Sequence, residues 1–205
     1  MSVSSEELEG ARARVAERFG TAKAPSVMYR LPADVVRDTA LNMARAWDGD
    51  ATAMPRGERL LIALGVVAQL GGGGQTGLGA WLAEAAQKAG RSAADVDATL
   101  AVALTCATYN GYYKFRALVE GQGKAFENFQ PALRATPFVK SPLSKALVEL
   151  ICIAISVQNG CSHCVTGHIQ SAKQAGATDA AIDEAVRSGA VAGALAAWEL
   201  QPAQP

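Results

Sequence analysis

Histidine is scarce in this chain, and cysteine, aromatic residues and surplus charge are scarce with it. Two histidines and four cysteines occur among 205 residues, and aromatics make up 6%. Nineteen basic residues balance nineteen acidic ones. A net charge of zero lacks the phosphate-neutralising surplus of a nucleic-acid binder, and it gives no electrostatic hold on an anionic membrane. Long hydrophobic runs are absent too. Leu60–Leu70 and Ala146–Val157 fall well short of the ~20 residues of a spanning helix. The start, Met1-Ser-Val-Ser-Ser-Glu-Glu-Leu8, is acidic where a secretory leader is basic. The expectation is a soluble, cytoplasmic protein with neither nucleic acid nor membrane as partner. In a reducing compartment, paired cysteines point to catalysis or metal binding before structural stapling.

What is present is helical pattern nearly throughout, with alanine, leucine and valine dominating the apolar set and no strand alternation. Ser4-x-x-Glu7 has the form of a capping box opening a helix to about Phe19. Further helices are expected over Asp34–Trp47, Leu60–Leu70, Gly79–Lys88, from Ser92-x-x-Asp95 to Tyr112 or Val119, and over Leu143–Gln158, Cys164–Gln174 and Asp179–Leu200. Gly20 to Pro32 reads as a connector and Gly121 to Ser141 as irregular. An offset of 86 aligns Gly90 with Gly176, Leu61 with Leu147, Leu64 with Leu150 and Asp97 with Asp183. The expected architecture is therefore all-α. It is a single domain over 1–205, with internal repeats over about 58–112 and 144–198 behind an N-terminal helical extension, 1–57.

The chemistry is concentrated. Both histidines and two of the cysteines fall within Cys161-Ser-His-Cys-Val-Thr-Gly-His168. Asn159-Gly160 breaks the preceding helix, so a new helix starts near Cys161. Its unpaired N–H groups and partial positive charge favour a thiolate there. His168 stands four residues after Cys164, on the same face, and is placed to accept its proton. His163 is rotated away, toward Cys161 or a partner surface. At the 86-residue offset, Gln75, Gly77, Leu78 and Leu82 occupy the places of Cys161, His163, Cys164 and His168, so only the second repeat is equipped to react.

Glu149 is the other informative residue, a lone carboxylate in an apolar run. Such a group is costly to bury unless paired or protonated. It lies ~16 Å before the break at Gly160 and His168 ~12 Å after it, at 1.5 Å per residue. Two helices folded back on each other bring them to one level. An acid–imidazole–thiol relay follows, with burial expected to raise the carboxyl pKa.

Glu149, Cys161, His163, Cys164 and His168, spaced Glu-x11-Cys-x-His-Cys-x3-His, resemble the active-site signature of the AhpD alkylhydroperoxidases, in the carboxymuconolactone-decarboxylase-like superfamily. Asn159-Gly-Cys-Ser-His-Cys, Gly189-Ala-Val-Ala-Gly-Ala-Leu-Ala and, more loosely, Tyr113 to Gly121 extend the likeness, which covers about Asn110 to Leu200. The resemblance implies an internally duplicated all-helical subunit, usually trimeric. It implies reduction of organic hydroperoxides, or recycling of a peroxiredoxin, with a dihydrolipoyl group on an acyltransferase as reducing co-substrate and no bound cofactor. By position it makes Cys164 the peroxidatic thiol, passing through a sulfenic acid. Cys161 becomes the resolving thiol and proton donor, closing a Cys161–Cys164 disulfide. Glu149 and His168 form the relay, with His163 in support. A protein thiol–disulfide reductase or regulatory partner with little peroxidase activity, a decarboxylase- or lyase-like relative, and a metal-stabilised interaction module are the alternatives.

Other features have blander readings. Zinc on the two cysteines and two histidines of the window is disfavoured, because so short a helical spacing wraps poorly around one ion, and no metal is expected there. Cys106 and Cys152 read as packing residues in apolar helices. Gly71 to Gly77 lacks the Gly-Lys-Ser/Thr ending of a phosphate loop and reads as a turn. Tyr109, Tyr112, Tyr113, Lys114 and Arg116 read as a helix end packing its aromatics before they read as an entrance. Gly189 and Gly193 suggest a close helix contact.

Overall fold

Two helices form the centre of the computed structural model. They are α3 (Arg56–Val67) and α7 (Lys145–Gln158). Every residue from Leu60 to Val67, and from Leu147 to Ser156, is buried. A helix apolar on all sides can satisfy its surface only by being surrounded. Around them lie α4 (Gly77–Lys88), α5 (Ala93–Leu118), α8 (Ser162–Gln174) and α9 (Asp179–Glu199). The outer pair α1 (Ser5–Arg18) and α2 (Ala33–Trp47) packs onto α4 and α9, and α6 is a single turn, Thr136–Val139, against α5. The structure describes residues 3–21, 24–49, 53–72, 77–120 and 130–199. Among these no strand occurs, so the all-α expectation holds. Gly73, Gly74, Gln75, the residues 121–129 of the irregular segment and the helix end at Leu200 lie outside the described residues.

Local chemistry accounts for the boundaries. Ser4 and Ser92 each accept from the backbone N–H three residues on, while Glu7 and Asp95 reach back to the cap N–H: two complete capping boxes. Helix α2 is tied in by buried polar bonds. Trp47 Nε1 donates to Ser188 Oγ at 3.1 Å, and Ser188 in turn donates to the Arg59 carbonyl at 2.7 Å. The Arg59 guanidinium donates to the Ala46 and Gly49 carbonyls at 3.3 and 2.6 Å. Beyond Val67 the chain widens into a π turn, Ala68–Gly72, with Gly71 at φ +96°.

The close contact expected at the two glycines is present. A Cβ at Gly189 would stand 2.8 Å from Ala154 Cβ, and one at Gly193 would stand 2.4 Å from Gln158 Oε1. Lacking both, α9 lies close on α7. Ala93 and Asp179 open α5 and α9 and are 86 residues apart, as are Gly90 and Gly176. Glu149, Cys161, His163, Cys164 and His168 all lie on or at the start of α7 and α8.

Candidate active site

Gly160 sets the geometry. Its φ of +65° lets α7 end in a Schellman turn, with Cys161 N–H bonded to the Ser156 carbonyl and Gly160 N–H to that of Val157, both at 3.0 Å. The chain reverses at once, and α7 and α8 lie face to face. Cys161 becomes the N-cap of α8 and Cys164 its third residue. Their Cα atoms are 5.3 Å apart and their sulfurs are joined as a disulfide. Both cysteines are buried, 3% and 7% exposed.

The reversal also brings Glu149 and His168 to one level. Glu149 Oε2 lies 2.6 Å from His168 Nδ1. Its other oxygen, Oε1, lies 2.5 Å from Lys145 Nζ, one turn earlier on α7. Burial is the largest influence on this carboxyl and pushes its pKa up. The hydrogen bonds and charges of His168 and Lys145 together outweigh it, and the pKa falls below the ordinary value. The expectation of a raised pKa is thereby corrected: it counted the cost of burial and omitted Lys145.

Cys106 and Cys152 pack in the core as expected, but they also meet polar neighbours. Both are buried and free. Cys106 Sγ lies 3.7 Å from both the Cys152 carbonyl oxygen and Ser156 Oγ, and Ser156 donates to Asn110 Oδ1 at 3.0 Å. Sγ of Cys106, Sγ of Cys152 and a ring nitrogen of His168 lie within 4.8 Å of one another. The hydrogen bond with Cys152 lowers the Cys106 pKa first, burial opposes it, and His168 helps bring it to about 6. Cys152 moves the other way, well above its ordinary value, through burial and then its hydrogen bond with Cys106. Burial depresses His168, but hydrogen bonding to Cys106 and Glu149 outweighs it and raises the imidazole to about 9. His168 is thus held between the Glu149 carboxylate and the Cys106 sulfur, and both neighbours favour its protonated form.

His163 is exposed and packs its ring on Tyr113, centroids 5.6 Å apart. Tyr113 adjoins Tyr109 and Tyr112, and Tyr109 adjoins Phe138 of α6. Phe138 meets His168 edge-on at 6.1 Å. The tyrosines that read as a helix end therefore reach His163, and only with Phe138 added does the wall touch His168 as well. Sequence reasoning missed Phe138, Cys106, Ser156, Asn110 and Lys145. Only Lys145 left a signal, its i,i+4 spacing from Glu149.

Fold and site define a class: an all-helical protein whose CxxC disulfide opens a helix beside a buried carboxylate–imidazole pair. Residues 123–201 match the Carboxymuconolactone decarboxylase family. The chain is 33% identical over 162 residues to "Alkyl hydroperoxide reductase AhpD" of Azorhizobium caulinodans, spanning 79% of this chain and 84% of that one. It is 41% identical over 102 residues to the protein of the same name in Anaeromyxobacter sp. and 32% identical over 105 residues to that of Mycobacterium tuberculosis. Those two matches span 53% and 58% of the relatives' lengths, about half of each. The chain belongs to the AhpD-type, carboxymuconolactone decarboxylase-like family.

Proposed function

We propose that the protein is a thiol-dependent peroxidase acting on organic hydroperoxides, with Cys164 as the attacking sulfur. The observation that carries this reading is the Glu149–His168 pair at 2.6 Å, one turn along α8 from a Cys161–Cys164 disulfide. In the reduced protein, Cys164 thiolate attacks the terminal oxygen of ROOH. The O–O bond breaks, and ROH leaves with a proton supplied by Cys161 or His168. Cys164 is left as sulfenic acid. Cys161 then attacks the Cys164 sulfur, the S–S bond forms, and water departs. A dihydrolipoyl dithiol returns both thiols by exchange and leaves as the cyclic disulfide. Its natural carrier in this reading is a lipoylated acyltransferase, with a peroxiredoxin as a further client and a homo-oligomer, such as a trimer, as the working form. The helix N-terminus supports the thiolate, Glu149 orients His168, and His163 on the Tyr113 wall borders the approach.

Hydroperoxide consumption fed by dihydrolipoamide tests the proposal. Cys164→Ser should abolish turnover. In Cys161→Ser, one equivalent of peroxide should leave one added oxygen on Cys164, trappable by dimedone. Wild-type turnover in Cys164→Ser refutes the assignment, and a trap on Cys161 in the wild type reverses the two roles.

A further inference from the structure

Cys106, Cys152 and His168 come from three different helices, α5, α7 and α8, and present two sulfurs and a ring nitrogen within 4.8 Å of one another. The mechanism above uses neither Cys106 nor Cys152. Both are fully buried and free, and neither belongs to the CxxC pair. We propose that these three residues form a buried binding site for one thiophilic metal ion, Cu(I) or Zn(II).

Metal–sulfur bonds of ~2.3 Å and metal–nitrogen bonds of ~2.0 Å place ligand atoms roughly 3.5–4 Å apart. The cluster reaches that spacing by side-chain adjustments of about 1 Å. Two thiolates and an imidazole are soft and borderline donors, which select Cu(I) or Zn(II) and disfavour the oxygen-seeking Mg(II) and Ca(II).

The outer groups fit as well. Glu149 holds His168 Nδ1 at 2.6 Å, leaving Nε2 as the nitrogen available to an ion. A carboxylate behind the imidazole is the usual support of a metal-bound histidine, and Lys145 holds that carboxylate in turn. Ser156 gives its proton to Asn110, which turns oxygen lone pairs toward Cys106 Sγ, 3.7 Å away. Three donors satisfy Cu(I), whereas Zn(II) takes a fourth ligand beside them.

The site does not depend on the peroxidase reading, and its test separates the two. In the Cys161→Ser/Cys164→Ser variant the window has no thiols left. Under anaerobic conditions this variant should take up one equivalent of Cu(I) or Zn(II) in competition with a chromogenic chelator. X-ray absorption should find two sulfurs and one nitrogen around the ion. Cys106→Ala in that background, shown to be folded by circular dichroism, should weaken binding at least 100-fold. Failure to bind either ion, a coordination shell without sulfur, or unchanged affinity in the folded Cys106→Ala protein would overturn the proposal. The absorption measurement stands even if the Cys106 variant does not fold.

Discussion

Replacing Glu149 by glutamine keeps the side chain's size and removes its charge, which makes it the sharpest probe of the site. The substitution takes away a charge-assisted hydrogen bond of 2.6 Å to a mostly buried imidazole. Such bonds contribute about 1.5–3 kcal/mol. At ~1.4 kcal/mol per pKa unit, the His168 titration should fall from about 9 by roughly one to two units. Cys106, the larger of the two raising partners, remains, so the value should not drop to that of a buried lone histidine.

Stability should respond with a definite sign. His168 is raised from 6.5 to about 9, so its contribution is complete below pH ~6.5 and is lost as pH rises through about 9. Glu149→Gln should therefore cost most stability below pH ~6.5, and the two proteins should converge toward pH 9. NMR titration of the His168 ring in the disulfide form, paired with urea unfolding at pH 6 and pH 9, measures both quantities. An unmoved His168 titration, or a stability difference that grows with pH, would refute the reasoning.

Three further outcomes are expected away from the sulfurs. Gly189→Ala forces a Cβ to within 2.8 Å of Ala154 Cβ, a helix-to-helix clash, and should lower stability by about 1–3 kcal/mol by calorimetry. Gly111→Ala, on an exposed helical site with nothing within 4 Å, should instead stabilise by about 0.5–1 kcal/mol. Ser188→Ala removes an acceptor from Trp47 and a donor from the Arg59 carbonyl, and should cost about 1–3 kcal/mol with a change in Trp47 fluorescence.

The parts of this molecule that could be read in its sequence are those written by near neighbours. Capping boxes at Ser4 and Ser92 and the stop at Gly160 depend on three or four consecutive residues, and they are found where expected. The meeting of Glu149 with His168 was legible because one helical rise and one reversal determine it. Cys106 was not, since it meets Cys152 across 46 residues and reaches His168 from a third helix. No spacing encodes that convergence, which results from packing α5 against α7 and α8. Phe138 belongs to the same case, carried to His168 by a single turn in a segment that lacks periodic pattern. The direction of the Glu149 shift was a different kind of miss, because Lys145 was in view one turn away.

Depth imposes a shape on whatever reduces this protein. Cys161 and Cys164 are 3% and 7% exposed, so their bond lies below the surface. Exchange requires an incoming sulfur to line up with the bond it breaks. So deep a bond favours a thiol at the tip of a slender chain over one set on a broad, rigid face. If the peroxidase reading holds, the site's choice of electron donor is a matter of calibre, set by how far Gly160 and the first turn of α8 sink the sulfur pair into the molecule.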